Sequence, residues 1–125
     1  MKPIITHSDA NTISTILSDL PIHLHSKETG KLLKEVQKAE KVQESIIDRH
    51  IIRLNSKFKI VELSSMKEMD FKLTLPVHAN LGQKKISILS PLGVALIGFR
   101  EGMTIDWEFP GGMKKIKILK VENAE

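Results

Sequence analysis

Residues Ile86–Gly112, ISILSPLGVALIGFREGMTIDWEFPGG, read as strand, short capped helix, turn, strand and glycine turn in one run. Ile86 and Ile88 flank Ser87 with the two-residue period of a half-buried strand. Ser90 stands where a helix N-cap belongs, and Pro91 follows at the first helical position, where its missing N–H costs nothing. Val94, Leu96 and Ile97 make a helix too short to stand without a sheet beneath it, and Gly98 ends it. After a turn at Arg100-Glu101-Gly102, Met103, Ile105, Trp107 and Phe109 alternate with Thr104, Asp106 and Glu108. Pro110-Gly111-Gly112 then closes a hairpin.

Working outward, the strand pattern extends back to Asp48. Asn55-Ser56 forms a polar turn after Ile51-Ile52-Arg53-Leu54, and Phe58, Ile60, Val61 and Leu63 lie in a lysine-rich strand broken at Ser64-Ser65. Met69, Phe71, Leu73 and Leu75 alternate with polar residues up to Pro76, and Asn80-Leu81-Gly82 is a turn. Ile116, Ile118, Leu119 and Val121 interleave with lysines in a last strand.

The first fifty residues read as helical after a short β-prone lead-in, Lys2–Thr6. Ser8 or Asp9 can cap a helix carrying Ile13, Ile16, Leu17 and Leu20 on one face, with Pro21 as its stop. Ser26 caps a second helix expected from Lys27 to about Ile47, ~30 Å at 1.5 Å per residue. Its Leu32, Val36, Ala39, Gln43 and Ile46 have the spacing of a coiled-coil seam. The expected architecture is α+β: residues 1–50 a short antiparallel helical hairpin, residues 51–125 a mostly antiparallel sheet on one short helix.

Composition narrows the function classes. The 125 residues are 41% hydrophobic and 27% charged, with no cysteine, which excludes a disulfide framework or a thiolate metal site. No run approaches the ~18 apolar residues of a membrane span, and MKPIITHSDA lacks a signal-peptide core, so a cytoplasmic protein is expected. The net charge of +4 comes from dispersed lysines and reads as a solvated surface. Aromatics at 4% with no tyrosine disfavour dedicated single-strand binding.

Ser90-Pro91-Leu92-Gly93-Val94-Ala95-Leu96-Ile97-Gly98, then Gly102, then Pro110-Gly111-Gly112, resemble the C-terminal domain of the GreA/GreB transcript-cleavage factors. Trp107 and Ala95–Gly98 look closer to that group's shorter, Rnk-type members. The resemblance implies an FKBP-like twisted antiparallel sheet behind a helical hairpin. It also implies docking on the β′ subunit of RNA polymerase at the rim of the secondary channel, through Asn55, Ser56, Ser90, Pro91 and Leu92. Contact with nucleic acid is expected only through the polymerase, and a monomer is expected.

Cleavage-active members carry an Asp and a Glu at the hairpin tip that help hold a catalytic Mg²⁺. Here the tip is Pro21, His23 and His25 with their apolar neighbours, flanked rather than crowned by Asp19 and Glu28, on a hairpin shorter than the resemblance implies for cleavage. The expectation is therefore a non-enzymatic polymerase-binding regulator with no cofactor and no metal. Two alternatives stand beside it: cleavage through Asp19 and Glu28, and a prolyl isomerase suggested only by the fold. His23-x-His25 with His7 lacks the third and fourth ligands of a metal site, and Gly111-Gly112 is not a phosphate loop. Gly93, Gly98, Gly102, Gly111 and Gly112 are read as backbone requirements, and Trp107 as core with its N–H satisfied near the surface.

Overall fold

The computed structural model describes residues 2–123. Strand β1 (Ile4–Thr6) leads into helix α1 (His7–Asp19), and α2 (Lys27–Lys38) leads into β2 (Glu40–Val42). Then come β3 (Lys57–Glu62), β4 (Lys67–Thr74), β5 (Lys85–Ser87), helix α3 (Pro91–Leu96), β6 (Thr104–Phe109) and β7 (Gly112–Glu122). The protein is α+β, with a five-stranded sheet in the order β5-β4-β3-β7-β6 and a separate β1-β2 pair.

The deciding stretch folds as read. The Ser90 hydroxyl accepts from Gly93 N–H at the start of α3, and Pro91 opens the helix. Gly98 takes φ +84° just beyond the helix end, and a Cβ there would lie 2.5 Å from Pro3 Cβ. Strands β6 and β7 pair as a hairpin from Thr104↔Lys117 to Phe109↔Gly112.

Several expectations are corrected. The sheet is antiparallel through β4, β3, β7 and β6 as expected but mixed at its edge, where β5 runs parallel to β4, from Lys72↔Lys85 to Thr74↔Ser87. Pro76 stops β4, and single 3-10 turns at Pro76–His78 and Leu81–Gln83 return the chain to the start of the neighbouring track. The cap of α1 is Thr6 rather than Ser8 or Asp9; its hydroxyl accepts from Asp9 N–H at 3.1 Å.

Helix α2 ends at Lys38, not near Ile47, and spans about 18 Å at 1.5 Å per residue. Ala39 turns extended, Glu40 N–H donates to Pro3 O at 2.9 Å, and residues 40–42 pair in parallel with residues 4–6. Leu32, Val36 and Ala39 are buried, whereas Gln43 and Ile46 lie beyond the helix and are exposed, so the seam stops with the core beneath it. Ser26 and Thr29 form a full capping box at the other end.

Both halves contribute to one hydrophobic cluster. Ile5, Ile13, Leu32 and Val36 from the first forty residues join Ile52, Leu73, Leu96, Ile105 and Ile118. Strand β1 is pinned at the end of α3 by Ile4 N–H donating to Gly98 O at 2.8 Å. No helix among the described residues is long and apolar enough to cross a membrane.

Candidate functional site

Two loops at one end of the sheet carry the residues assigned to partner contact. Asn55 is exposed and left-handed, with φ 74°, in the turn before β3. Its N–H donates to Leu73 O at 2.6 Å, and Leu73 N–H donates to Ser56 O at 3.0 Å. Ser56 is fully buried: its Oγ accepts from Arg53 N–H at 2.7 Å and donates to Asn123 Oδ1. Ser56 therefore shapes the turn and leaves Asn55 as its presented side chain.

Ser90, Pro91 and Leu92 are half-buried. Ser90 Oγ donates to Ser87 O at 2.7 Å besides capping α3, and Leu92 leans on the core. Gly93 lets this segment approach, because a Cβ there would stand 2.4 Å from Ser87 O and 3.1 Å from Leu73 Cδ1. Leu73 thus holds the two loops on one end of the molecule.

The connector between α1 and α2 is the second candidate. Pro21, Ile22, His23, Leu24 and His25 are all exposed, Ile22 to 88%. His25 Nε2 lies 3.0 Å from Leu20 O and ties the connector back on itself. Asp19 is exposed and Glu28 half-buried in the first turn of α2. Among the described residues no three His, Cys, Asp or Glu side chains group closely enough to hold a metal ion.

The helical pair lies along the body instead of standing off it. Lys27 pairs with Glu108 of β6, which holds that carboxyl below the usual range and raises the lysine. Lys31 donates to Glu108 O at 3.2 Å and sits 5.2 Å from the Trp107 ring centroid. Trp107 is half-buried against the core rather than within it, and its Nε1 is buried with no partner among the described residues, contrary to the expected core placement and satisfied N–H.

Charged ties invisible in the sequence stitch the region before β3. Asp48 Oδ2 accepts from Arg100 Nε at 2.7 Å and Oδ1 from His50 N–H at 2.8 Å. Hydrogen bonding to the Arg100 guanidinium, then to His50, holds the Asp48 carboxyl at about 2. Asp9 is buried beside Arg53, Oδ2 to Nε 3.6 Å; desolvation outweighs the guanidinium and raises its carboxyl. The Asp48–Arg100 and Asp9–Arg53 pairs join residues far apart in the chain, and no local pattern announces them.

The model of the family described as transcription elongation factor GreA/GreB, C-terminal part, matches residues 48–123. The regulator of nucleoside diphosphate kinase of Escherichia coli K12 is 28% identical over 120 residues, covering 95% of this chain and 88% of that protein. Transcription elongation factor GreA of Syntrophomonas wolfei is 34% identical over 91 residues, 73% of this chain but only 57% of its own length. A solved transcription elongation factor GreA/GreB from Nitrosomonas europaea superposes with a TM-score of 0.79 at 30% identity, covering 98% of this chain and 99% of that one. The GreA relative thus extends well beyond what this chain spans, whereas the other two match nearly end to end. On that match the chain belongs to the GreA/GreB family of transcription elongation factors.

Proposed function

We propose that this protein is an RNA polymerase-binding transcription regulator that does not stimulate transcript cleavage. One observation carries the reading: α1 and α2 have 13 and 12 residues and are laid into the same core as the sheet. Only the Pro21–Ser26 connector is left to project, and its presented side chains are Ile22, His23, Leu24 and His25, not carboxylates. A two-metal hydrolytic site needs acids brought to the metal, and Asp19 and Glu28 flank this connector rather than crown it.

In this reading the end of the sheet that presents Asn55, Ser90, Pro91 and Leu92 grips the β′ rim of the secondary channel. The connector enters part-way, and regulation follows from occupancy of a site shared with other channel ligands, by mass action. The FKBP-like description of the sheet belongs to the same proposal, as does the 1–50 and 51–125 division, read as two parts sharing one core rather than two independent domains.

Affinity purification of the tagged full chain from its own cells tests the contact. Core RNA polymerase is expected with the parent, and at least tenfold less with Asn55→Gly combined with Pro91→Ala, changes compatible with the left-handed turn and the helix start. Failure to recover polymerase with the parent overturns the assignment. A backtracked transcription complex tests the chemistry: RNA shortened above the factor-free rate, and abolished in Asp19→Asn/Glu28→Gln, would restore the cleavage reading.

A further inference from the structure

The lysines that look dispersed in the sequence are gathered by strand pairing. On one face of the sheet Lys85, Lys72 and Lys57 stand directly opposite one another across β5, β4 and β3, with Glu122 of β7 next in the row. A second row places Lys59 between Asp70 and Lys120. These residues, with Lys84, line a cleft of about 540 Å³ open to solvent. Its lining holds six lysines against two carboxylates, an excess equal to the formal charge of the entire chain.

Most of this surplus is held in no close ion pair, although Lys57 acts electrostatically on Glu122. Lys120 pairs with Glu122 at 2.8 Å, but Lys57, Lys59, Lys72, Lys84 and Lys85 make no ion pair among the described residues. Like charges directly opposite on adjacent strands destabilise a sheet. Lys84 also holds a left-handed backbone, φ 58°, which glycine adopts more readily. Opposed lysines across three strands, with Lys84 beside them, leave a net positive face open to an anion from outside.

The cleft itself selects among polyanions. None of the large exposed apolar side chains, Ile22, Leu24, Val77 and Leu81 included, lines it, so it lacks the apolar anchor of a protein-docking hot spot. Phe58 is buried and Phe71 half-buried beneath the lysines, so no exposed aromatic platform is offered for stacking unpaired bases. What remains is a grid of point charges with strand rows about 4.8 Å apart, suited to closely spaced phosphates.

We infer that this lysine face binds the phosphate backbone of duplex DNA without reading its sequence. The surface is separate from the connector and goes beyond the polymerase contact, since it would operate on free DNA. Charge neutralisation of the Lys85–Lys72–Lys57 row by the backbone relieves the repulsion that the fold carries when the face is empty.

Fluorescence anisotropy of the full chain against a labelled duplex of about 20 base pairs, from about 50 to 200 mM salt, tests this. Binding is expected to weaken steeply with salt. Lys57→Gln/Lys72→Gln/Lys85→Gln is expected to weaken it at least tenfold and to flatten the log–log salt slope by about 0.9 per lysine removed. Lys34→Gln/Lys38→Gln/Lys41→Gln, equal in charge and away from the cleft, is expected to retain most of the affinity. Loss of fold does not imitate this result, because relieving opposed charges should leave the first variant melting at or above the parent at low salt. Four results would overturn the inference: no binding at the lowest salt, an equal loss in both variants, tighter binding of the same-length single strand, or displacement by polyglutamate as effective as by unlabelled duplex. None depends on polymerase, so failure here leaves the polymerase reading standing, and the reverse.

Discussion

Gly93 shows how one absent side chain sets the candidate contact end. A Cβ at this position would meet Ser87 O at 2.4 Å and Ile88 Cα and Leu73 Cδ1 at 3.1 Å. Two of those atoms are backbone and cannot swing away, so Gly93→Ala must push α3 off the strand it caps. The expected loss is about 3 kcal/mol, at the upper end for overpacking, read as a shift in urea midpoint. Gly111→Ala is the contrast: its Cβ would meet nothing within 4 Å, and a change of under about 0.5 kcal/mol is expected. Equal losses at the two positions would mean that α3 is not held as closely as the Gly93 geometry requires. Both glycines look alike in the sequence; the difference comes from what the fold places beside them.

At the scale of elements, the Asp48–Arg100 tie joins the segment before β3 to the turn between α3 and β6, beside the backbone bond from Glu101 N–H to His50 O at 2.9 Å. Asp48 is held at about 2 by the Arg100 and His50 hydrogen bonds, below its ordinary unfolded value of about 3.9. A depressed carboxylate contributes its stability fully above the unfolded value and loses it as pH falls through the folded one, so this tie weakens between about pH 4 and pH 2. Asp9 works in the opposite sense, because burial raises its carboxyl and acid relieves that cost. The Asp48 effect therefore has to be read as a difference: Asp48→Asn is expected to flatten the acid limb of stability against pH, modestly for an exposed pair. A carboxyl NMR midpoint for Asp48 near 4 would rule the tie out. The elements themselves were largely legible. Ser90-Pro91, Gly98, Asn55-Ser56 and Ser26 announce caps and turns through local chemistry, and the alternation in β4 and β6 announces strands. The end of α2 was not legible, because Leu32, Val36, Ala39, Gln43 and Ile46 keep a helical period through a point where pairing with β1 takes over. The parallel direction of β5 and the lysine rows were hidden for the same reason: register is a long-range property, and lysines thirteen residues or more apart in sequence become neighbours only once the strands pair.

For the molecule as a whole, the sequence divides at about residue 50, whereas the apolar cluster runs through both parts. Ile5, Ile13, Leu32 and Val36 are buried with Ile52, Leu96 and Ile118, and Pro3 and Ile4 close over Gly98. Removing the first fifty residues would uncover that side of α3 and of the sheet. At about 25 cal/mol per Å² of apolar surface, even a few hundred Å² uncovered is comparable with the whole stability of a small domain. The full chain is therefore expected to unfold in one step. Trp107, the single tryptophan, reports on the joint directly, because Lys31 of α2 lies 5.2 Å from its ring centroid. Its fluorescence and the far-ultraviolet circular dichroism should follow coincident urea curves. A fragment of residues 51–125 should show no cooperative transition, or one at much lower urea. A fragment melting within a few degrees of the full chain would mean that α1 and α2 are an appendage, free to swing out. That outcome would also remove the observation against transcript cleavage, since a detachable helical pair could carry Asp19 and Glu28 further than a packed one. The unfolding curve thus bears on function as well as on stability: the reading of a stubby, non-hydrolytic connector holds only while the helices stay bedded in the shared core.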